Sequence, residues 1–209
     1  MYKGKFISIE GSEGAGKSTN IQYIQDYLRE KKIDFIATRE PGGTPVAEKI
    51  RELLLDKNNS SLCNDAELLL IFAARAQHLN ELIIPALEAG KWVLSDRFTD
   101  ASYAYQGGGR GLSWEKIAQL EQFVQGNLRP DATILLDIPV ELGMQRVRDR
   151  GETDRFEQEQ LAFFKRIRET YLKLAKENPQ RFYIIDTQPA IDEVHKQLGA
   201  VMGQLTVNG

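Results

Sequence analysis

Cysteine is almost absent from this chain: Cys63 is the only one, so an internal disulfide framework is excluded and an inert, partly buried thiol in a reducing compartment is expected. Long apolar runs are missing too. No uninterrupted hydrophobic stretch approaches the ~18 residues of a membrane-spanning helix, and no charged leader precedes an apolar segment, so the chain reads as cytoplasmic with no membrane partner. Positive charge is not in excess. Against 30 Asp and Glu stand 27 Lys and Arg, a formal net charge of −3, which argues against a surface built to hold a nucleic-acid backbone. Histidine occurs only at His78 and His195, each within a predicted helix, and no Cys/His spacing suits a structural metal site. Internal repeats, low-complexity tracts and linkers are lacking. A length of 209 residues suits one well-buried core, so a single domain over 1–209 is expected.

The chemistry that is present centres on Gly11-Ser12-Glu13-Gly14-Ala15-Gly16-Lys17-Ser18, which fits GxxxxGK(S/T) and follows the apolar run Phe6-Ile7-Ser8-Ile9. A buried strand that stops at Gly11, turns through small residues and restarts as a helix near Lys17 aims several backbone N–H groups at one spot. That spot wants an anion. Lys17 adds a mobile positive charge, the Ser18 hydroxyl suits the shell of a magnesium ion, and Gly11 through Thr19 are expected to hold the phosphates of ATP. Glu13 is the odd member, because a carboxylate facing a triphosphate would be repelled. It either meets a hydroxyl donor on a second ligand or is a solvated loop-tip acid.

Around this cradle, short apolar strands alternate with helical patterns. Strands are expected at 5–10, Phe35 to Thr38, Trp92 to Ser95, Ala132 to Asp137 and Phe182 to Ile185. Helices are expected through Ile21, Ile24 and Leu28; through Val46, Ile50 and Leu54; from Asn64, with Glu67 as its capping-box partner, to Leu87; from Ser113; from Pro139; from Leu161 to Leu174; and from Val194 to Leu205. The glycine-rich stretch Gly107 to Gly111 reads as a loop, and Thr206 to Gly209 as a loose tail. The alternation specifies a three-layer α/β/α fold on a five-stranded parallel sheet. Ligands gather at the C-terminal strand ends of such sheets, where Gly11, Arg39 and Asp96 all fall.

Arginine placement suggests a second phosphate pocket beside the first. Arg39 follows a strand, Arg51 and Arg75 lie on helices, and Asp96-Arg97 ends a strand. Guanidinium groups bind phosphate as planar forks. Singly, Arg51 and Arg75 also read as solvated helix-face residues, and Asp96 either holds magnesium through water, orients the acceptor, or forms an ordinary strand-end pair. Arg146, Arg148, Arg150 and Arg155 cluster around Gly151, with Asp149, Glu152 and Asp154 interleaved. Two readings stand for this segment: a lid that brings an arginine to the transferring phosphoryl group, or a helix end with ion pairs. If the nucleophile is itself a phosphate, it is largely dianionic at neutral pH and needs no protein base. A kinase for nucleoside monophosphates and a P-loop switch ATPase are the competing classes; the switch has little use for a second arginine pocket.

Taken together these residues resemble the thymidylate kinases, over nearly the whole chain from Phe6 to about Leu205. The marks are the cradle, the stretch Thr38-Arg39-Glu40-Pro41-Gly42-Gly43-Thr44, Ala73-Ala74-Arg75, Asp96-Arg97-Phe98, Tyr105-Gln106-Gly107-Gly108-Gly109-Arg110-Gly111, and the arginine-rich segment. The resemblance implies a P-loop nucleoside monophosphate kinase fold with a short lid at about 146–157, ATP and magnesium as cofactors, and dTMP as phosphoryl acceptor. It implies that Arg39, Arg51 and Arg97 grip the monophosphate, that Arg75 donates to thymine O4, that Ser102 and Gln106 meet the base edge, and that Tyr105 packs where a ribose 2′-hydroxyl would lie. Glu13 then faces the deoxyribose 3′-hydroxyl, Asp96 and Ser18 serve magnesium, Arg146 joins the ATP site, and Lys17, Asp96, Arg97, Arg148, Arg150 and Arg155 act on the transferring group. Pro41 sits where the family often has a cis peptide. With no arginine from Ser12 to Ala15, the lid resembles the style that carries its own arginines. One departure is visible: Ile71 holds the place of the usual thymine-stacking aromatic, and Phe72, one residue on, is the expected substitute. dUMP is the acceptor hardest to separate from dTMP, since both present a 4-keto oxygen. A homodimer on a helix face is expected from the family.

Overall fold

The computed structural model describes residues 4–59, 61–151 and 154–207, with only the backbone of Arg150. Five strands form one sheet: β1 (Phe6–Glu10), β2 (Phe35–Arg39), β3 (Trp92–Asp96), β4 (Ala132–Asp137) and β5 (Phe182–Asp186), ordered β2-β3-β1-β4-β5 and all parallel. β1 is central and every residue of it is buried. Its alternate side chains serve opposite layers. Ile7 and Ile9 pack with Ile24 and Leu28 of α1 (Lys17–Glu30) and with Leu198 and Met202 of α9 (Ile191–Val207), whereas Phe6 packs with Val93, Leu79 and Phe98 on the other face. That two-sided burial is why the strands read as continuous apolar runs.

The remaining helices are α2 (Pro45–Leu55), α3 (Asn64–His78), α4 (Ile84–Glu88), α5 (Thr99–Ser102), α6 (Trp114–Gln125), α7 (Val140–Arg150) and α8 (Leu161–Glu177). Thr44 caps α2 by accepting from the Ala47 N–H at 3.4 Å, with Pro45 at the first helical position, and Ser113 caps α6 by accepting from Lys116 N–H at 3.3 Å. Pro139 is the residue before α7 rather than a member of its first turn. A π-helical turn, Leu79–Ile83, joins α3 to α4 without a break.

Four local expectations are corrected. No capping box opens α3: Cys63 is the cap residue, its side chain makes no capping bond, and the Glu67 carboxylate is turned inward to Gln106, Arg110 and Arg155. Those buried donors from distant elements outcompete a local bond to a solvated helix end. Of the glycine-rich stretch expected as a loop, only Arg110 and Gly111 lie outside regular structure; Gly107 to Gly109 belong to a π-helix, Tyr103–Gly109, that continues α5. Its glycines are demanded by packing rather than by turning. A Cβ at Gly108 would run into Thr170 Oγ1 and one at Gly109 into the Phe163 ring, so α8 lies directly against the backbone, and Arg166 donates to both glycine carbonyls. Thr206 and Val207 belong to α9; residues 208–209, expected as tail, lie outside the described residues. Cys63, expected to be partly buried, is exposed, because it sits at the solvated N-terminal end of α3. Among the described residues no helix is long and apolar enough to cross a membrane.

Register sets the site. Ile9 lies opposite Asp96, and Arg39 opposite Asp96 on the other side, so three strands end level at one edge of the sheet. A cleft of about 660 Å³ opens there.

Candidate active site

The cradle leaves β1 at Gly11 and enters α1 at Lys17. Gly16, at φ 82°, is the cap residue and has no side chain to satisfy the first N–H groups of α1, so these face the cleft as an anion site. Gly14 is forced by contact as well as by conformation: at φ 73° a Cβ there would collide with the Gly143 carbonyl at the start of α7. Lys17 Nζ lies 3.3 Å from the Gly11 carbonyl, 3.4 Å from the Ser12 carbonyl and 4.0 Å from Glu13. Burial lowers its pKa and the neighbouring Arg97 lowers it further, so the ammonium gains from an arriving polyanion.

Glu13 bridges the cradle and the rest of the cleft: one carboxylate oxygen accepts from the Tyr105 hydroxyl at 2.7 Å and from Arg97 Nη2 at 3.0 Å, while the other lies 4.0 Å from Lys17 Nζ. Burial raises the Tyr105 pKa well above its ordinary value despite Arg97, which keeps the phenol a donor to this carboxylate. Arg97 itself adopts φ 70°, donates through Nη1 to the Gly11 carbonyl at 2.9 Å, and lies over the Tyr105 ring. Behind it the fully buried Glu10 accepts from the Phe98 N–H and the Tyr171 hydroxyl, both at 2.7 Å. Burial, reinforced by Asp100, pushes the Glu10 carboxyl up to about 8. This group pins the Asp96-Arg97-Phe98 turn to the base of the cradle, and sequence reasoning passed over it because it reads as the last residue of an ordinary strand.

The far half of the cleft is lined by Arg51, Ile71, Arg75, Ser102, Tyr105 and Gln106. Arg51 donates to the Pro41 carbonyl at 2.9 Å, and the Glu40–Pro41 bond is cis. Arg75 is 2 % exposed and donates to Glu40 at 2.7 Å and Ser102 at 3.1 Å, while its Nη1 is buried with no hydrogen-bond partner. Gln106 donates to Glu67 at 2.9 Å. The near half continues past Arg146, Thr187, Pro189 and Ile191, and Arg146 donates to the Gly14 and Thr187 carbonyls. This polar-edged apolar pocket follows β5, where no motif marked it.

Several expected residues stand elsewhere. Phe72 does not line the cleft; it packs with Leu68 and Ile117 beneath the Arg75 guanidinium, 4.6 Å from ring centre to carbon, and Ile71 takes the cleft position. A large aromatic gains more from full burial in that cluster than from an open wall. Arg39 lies outside the main cleft, on a second, open cavity shared with Thr38, Gly43 and Glu48, and pairs with Glu48 at 2.8 Å. Only Ser18 and Asp96 touch both cavities among the site residues. Of the lid arginines, Arg148 is exposed on α7, and Arg155 donates to Glu67 at 2.6 Å and to the Leu54 carbonyl at 2.7 Å rather than entering the cleft. The buried Glu67 carboxylate holds the Arg155 guanidinium through a short charge-assisted bond. The side chain of Arg150, and Glu152 and Thr153 entirely, lie outside the described residues. Asp154 and Glu157 line the cleft instead, and burial raises the Asp154 pKa.

Comparison with known proteins adds the chemical class. The family model "Thymidylate kinase" matches residues 9–198. A thymidylate kinase of Ectopseudomonas mendocina (strain ymp) is 56% identical over 202 residues, 97% of this chain and 96% of that one. One of Pseudomonas putida (strain GB-1) is 57% identical over 199 residues, 95% of each chain. Among solved structures, a crystal structure of thymidylate kinase from Ehrlichia chaffeensis superposes with a TM-score of 0.77 at 32% identity, covering 96% of this chain and 98% of that one.

Proposed function

We infer how this cleft works from one premise: the chain belongs to the thymidylate kinase family, and it phosphorylates dTMP to dTDP with ATP in dTTP synthesis. The observation that carries the reading is the division of one cleft into two anion sites, the cradle at Gly11 to Thr19 and the pocket of Arg51 and Arg97, with Glu13 between the pocket and Tyr105. ATP lies with its triphosphate on the α1 N-terminus and its base towards Arg146, Thr187 and Pro189. The dTMP phosphate lies against Arg51 and Arg97, the 3′-hydroxyl meets Glu13, the bare 2′ carbon meets Tyr105, and the thymine edge meets Arg75, Ser102 and Gln106. Ile71 supplies an apolar wall for the base. Arg39 pairs with Glu48 on the second cavity, beside Asp96, and joins the dTMP phosphate by leaving that exposed, weak pair.

Transfer is in line from ATP to the dTMP phosphate, and no side chain has to remove a proton. Lys17 and Arg97 flank the shared space and hold two anions in contact distance, which supplies proximity and charge compensation together. The residues present fit a magnesium ion: Asp96 Oδ1 is buried without a hydrogen-bond partner beside Ser18. Ser18 and Asp96 would hold it, and when bound it would supply charge compensation to the transferring group. Arg148, exposed on α7, and Arg155, bound to Glu67, reach the transferring group only if the lid expected at about 146–157 rearranges. The chain acts as one kinase domain over 1–209, in the cytoplasm. Asp96→Asn is expected to raise the magnesium concentration for half-maximal rate by about tenfold or more; an unchanged magnesium titration would remove Asp96 from this role.

The enzyme works as a homodimer through α2, α3 and α6. Val46 and Leu53 on α2, Leu69 on α3 and Phe123 on α6 are exposed large hydrophobics on three helices that pack side by side, with Phe123 87% exposed. Phe123→Asp is expected to yield a monomer in light scattering at concentrations where the parent is dimeric. A dimeric variant, or a monomeric parent, sinks the assignment.

A further inference from the structure

Arg75 is held in a way its neighbours alone do not explain. Its guanidinium lies between the rings of Phe72, at 4.6 Å, and Phe98, at 5.1 Å. Nε is committed to Glu40 Oε2 and Nη2 to Ser102, so Nη1 is the donor left for a ligand. Rotation of the Glu40 carboxylate would swing that donor. The rotation is blocked by a second contact, His78 Nδ1 to Glu40 Oε1 at 3.1 Å, and His78 is in turn held by Thr38 Oγ1 on Nε2 at 2.7 Å. In the neutral imidazole, Nδ1 donating to the carboxylate leaves Nε2 to accept from the Thr38 hydroxyl. His78 is 0 % exposed, and Glu40 4 %. Gly43, at φ 86°, closes over the pair: a Cβ there would strike both His78 Nε2 and Thr38 Oγ1.

We propose that Thr38, His78 and Glu40 form a relay of positioning residues that fixes the Arg75 donor, and that this relay, reaching in from the second cavity, sets the preference for a 4-keto over a 4-amino pyrimidine monophosphate. It rests on the reading of Arg75 as the base-facing donor. A guanidinium cannot accept, so only a keto oxygen satisfies a fixed Nη1, whereas a loosened one turns away from an amino group at less cost. A buried ion pair keeps one geometry only where its remaining lone pairs are occupied, which is what His78 and Thr38 do for Glu40.

The test is steady-state kinetics with dTMP, dCMP and ATP on four variants. His78→Leu removes both ring contacts, and the dTMP KM is expected to rise about tenfold or more with kcat and the ATP KM within about twofold, while the dTMP-over-dCMP ratio of kcat/KM falls by a similar factor. His78→Gln, which keeps a donor and an acceptor, restores most of the KM. Thr38→Val, a near-isosteric change at a partly exposed strand residue, gives the same pattern at about threefold and serves if His78→Leu does not fold. Arg75→Lys separates the layers. If it leaves the dTMP-over-dCMP ratio intact, Arg75 is not the base-facing donor; if it collapses that ratio while folded His78→Leu and Thr38→Val leave it unchanged, Arg75 keeps its role and the relay is wrong. Equal rises in the dTMP and ATP KM values also overturn the relay.

Discussion

Lys17→Ala is expected to lower kcat by about 10³-fold while the dTMP Kd stays within a few-fold of the parent enzyme. The buried ammonium spans two carbonyls at the long end of hydrogen-bond range, 3.3 and 3.4 Å, and burial depresses its pKa. The carboxylate that reaches it, Glu13 at 4.0 Å, is shared with Arg97 and Tyr105, so the ammonium keeps charge to offer an arriving polyanion. That charge acts when oxygens of the transferring group develop negative charge, so its loss falls on the transition state more than on either bound nucleotide. Rapid-quench turnover and calorimetric titration of dTMP measure the two sides. A kcat within tenfold of the parent contradicts the role, and a lost dTMP site with a lowered melting temperature reports a damaged fold.

Arg97→Ala is the second large effect, and it falls on the other substrate. We expect dTMP affinity to drop by about 10²-fold or more, from removal of a buried charge whose partner is left behind, with the ATP KM changed only a few-fold. Arg97 opposes the Glu13 carboxylate at 3.0 Å inside a pocket meant for a phosphate. Without it the pocket loses a ligand and gains an uncompensated like charge, so the two losses act together. The ATP side feels the change through the bond to the Gly11 carbonyl and through loss of the like charge beside Lys17, which partly offset each other. Calorimetry with each nucleotide alone gives both numbers, and an unchanged dTMP affinity ends the assignment.

How far the site could be read in advance differs residue by residue. Gly16, Lys17 and Ser18 were legible because a strand, a turn and a helix adjacent in sequence create the anion site locally. Glu13 was half-legible: its misfit with a triphosphate implied a second ligand, but Tyr105 and Arg97, which hold it, come from elements far along the chain. Phe72 and Ile71 share a helix, so spacing alone placed both near Arg75. Packing against Leu68 and Ile117 chose which one is buried. Arg39 and Arg155 were placed with the phosphates by charge, and the fold gives them to Glu48 and Glu67 instead. The π-helix at Tyr103–Gly109 was hidden because glycine lowers helix propensity, and only the close approach of α8 compensates it.

The sequence by itself determined the parallel sheet, the phosphate cradle and the strand ends at which substrates meet, because each is encoded in hydrophobic period or in residues within one turn of each other. Only the tertiary structure decided which carboxylate holds which arginine, which helix residue walls the base, and that Thr38, His78 and Glu40 stand in line behind Arg75. Those choices are settled by desolvation and contact between segments tens of residues apart, where several partners of the right charge exist and only packing selects one.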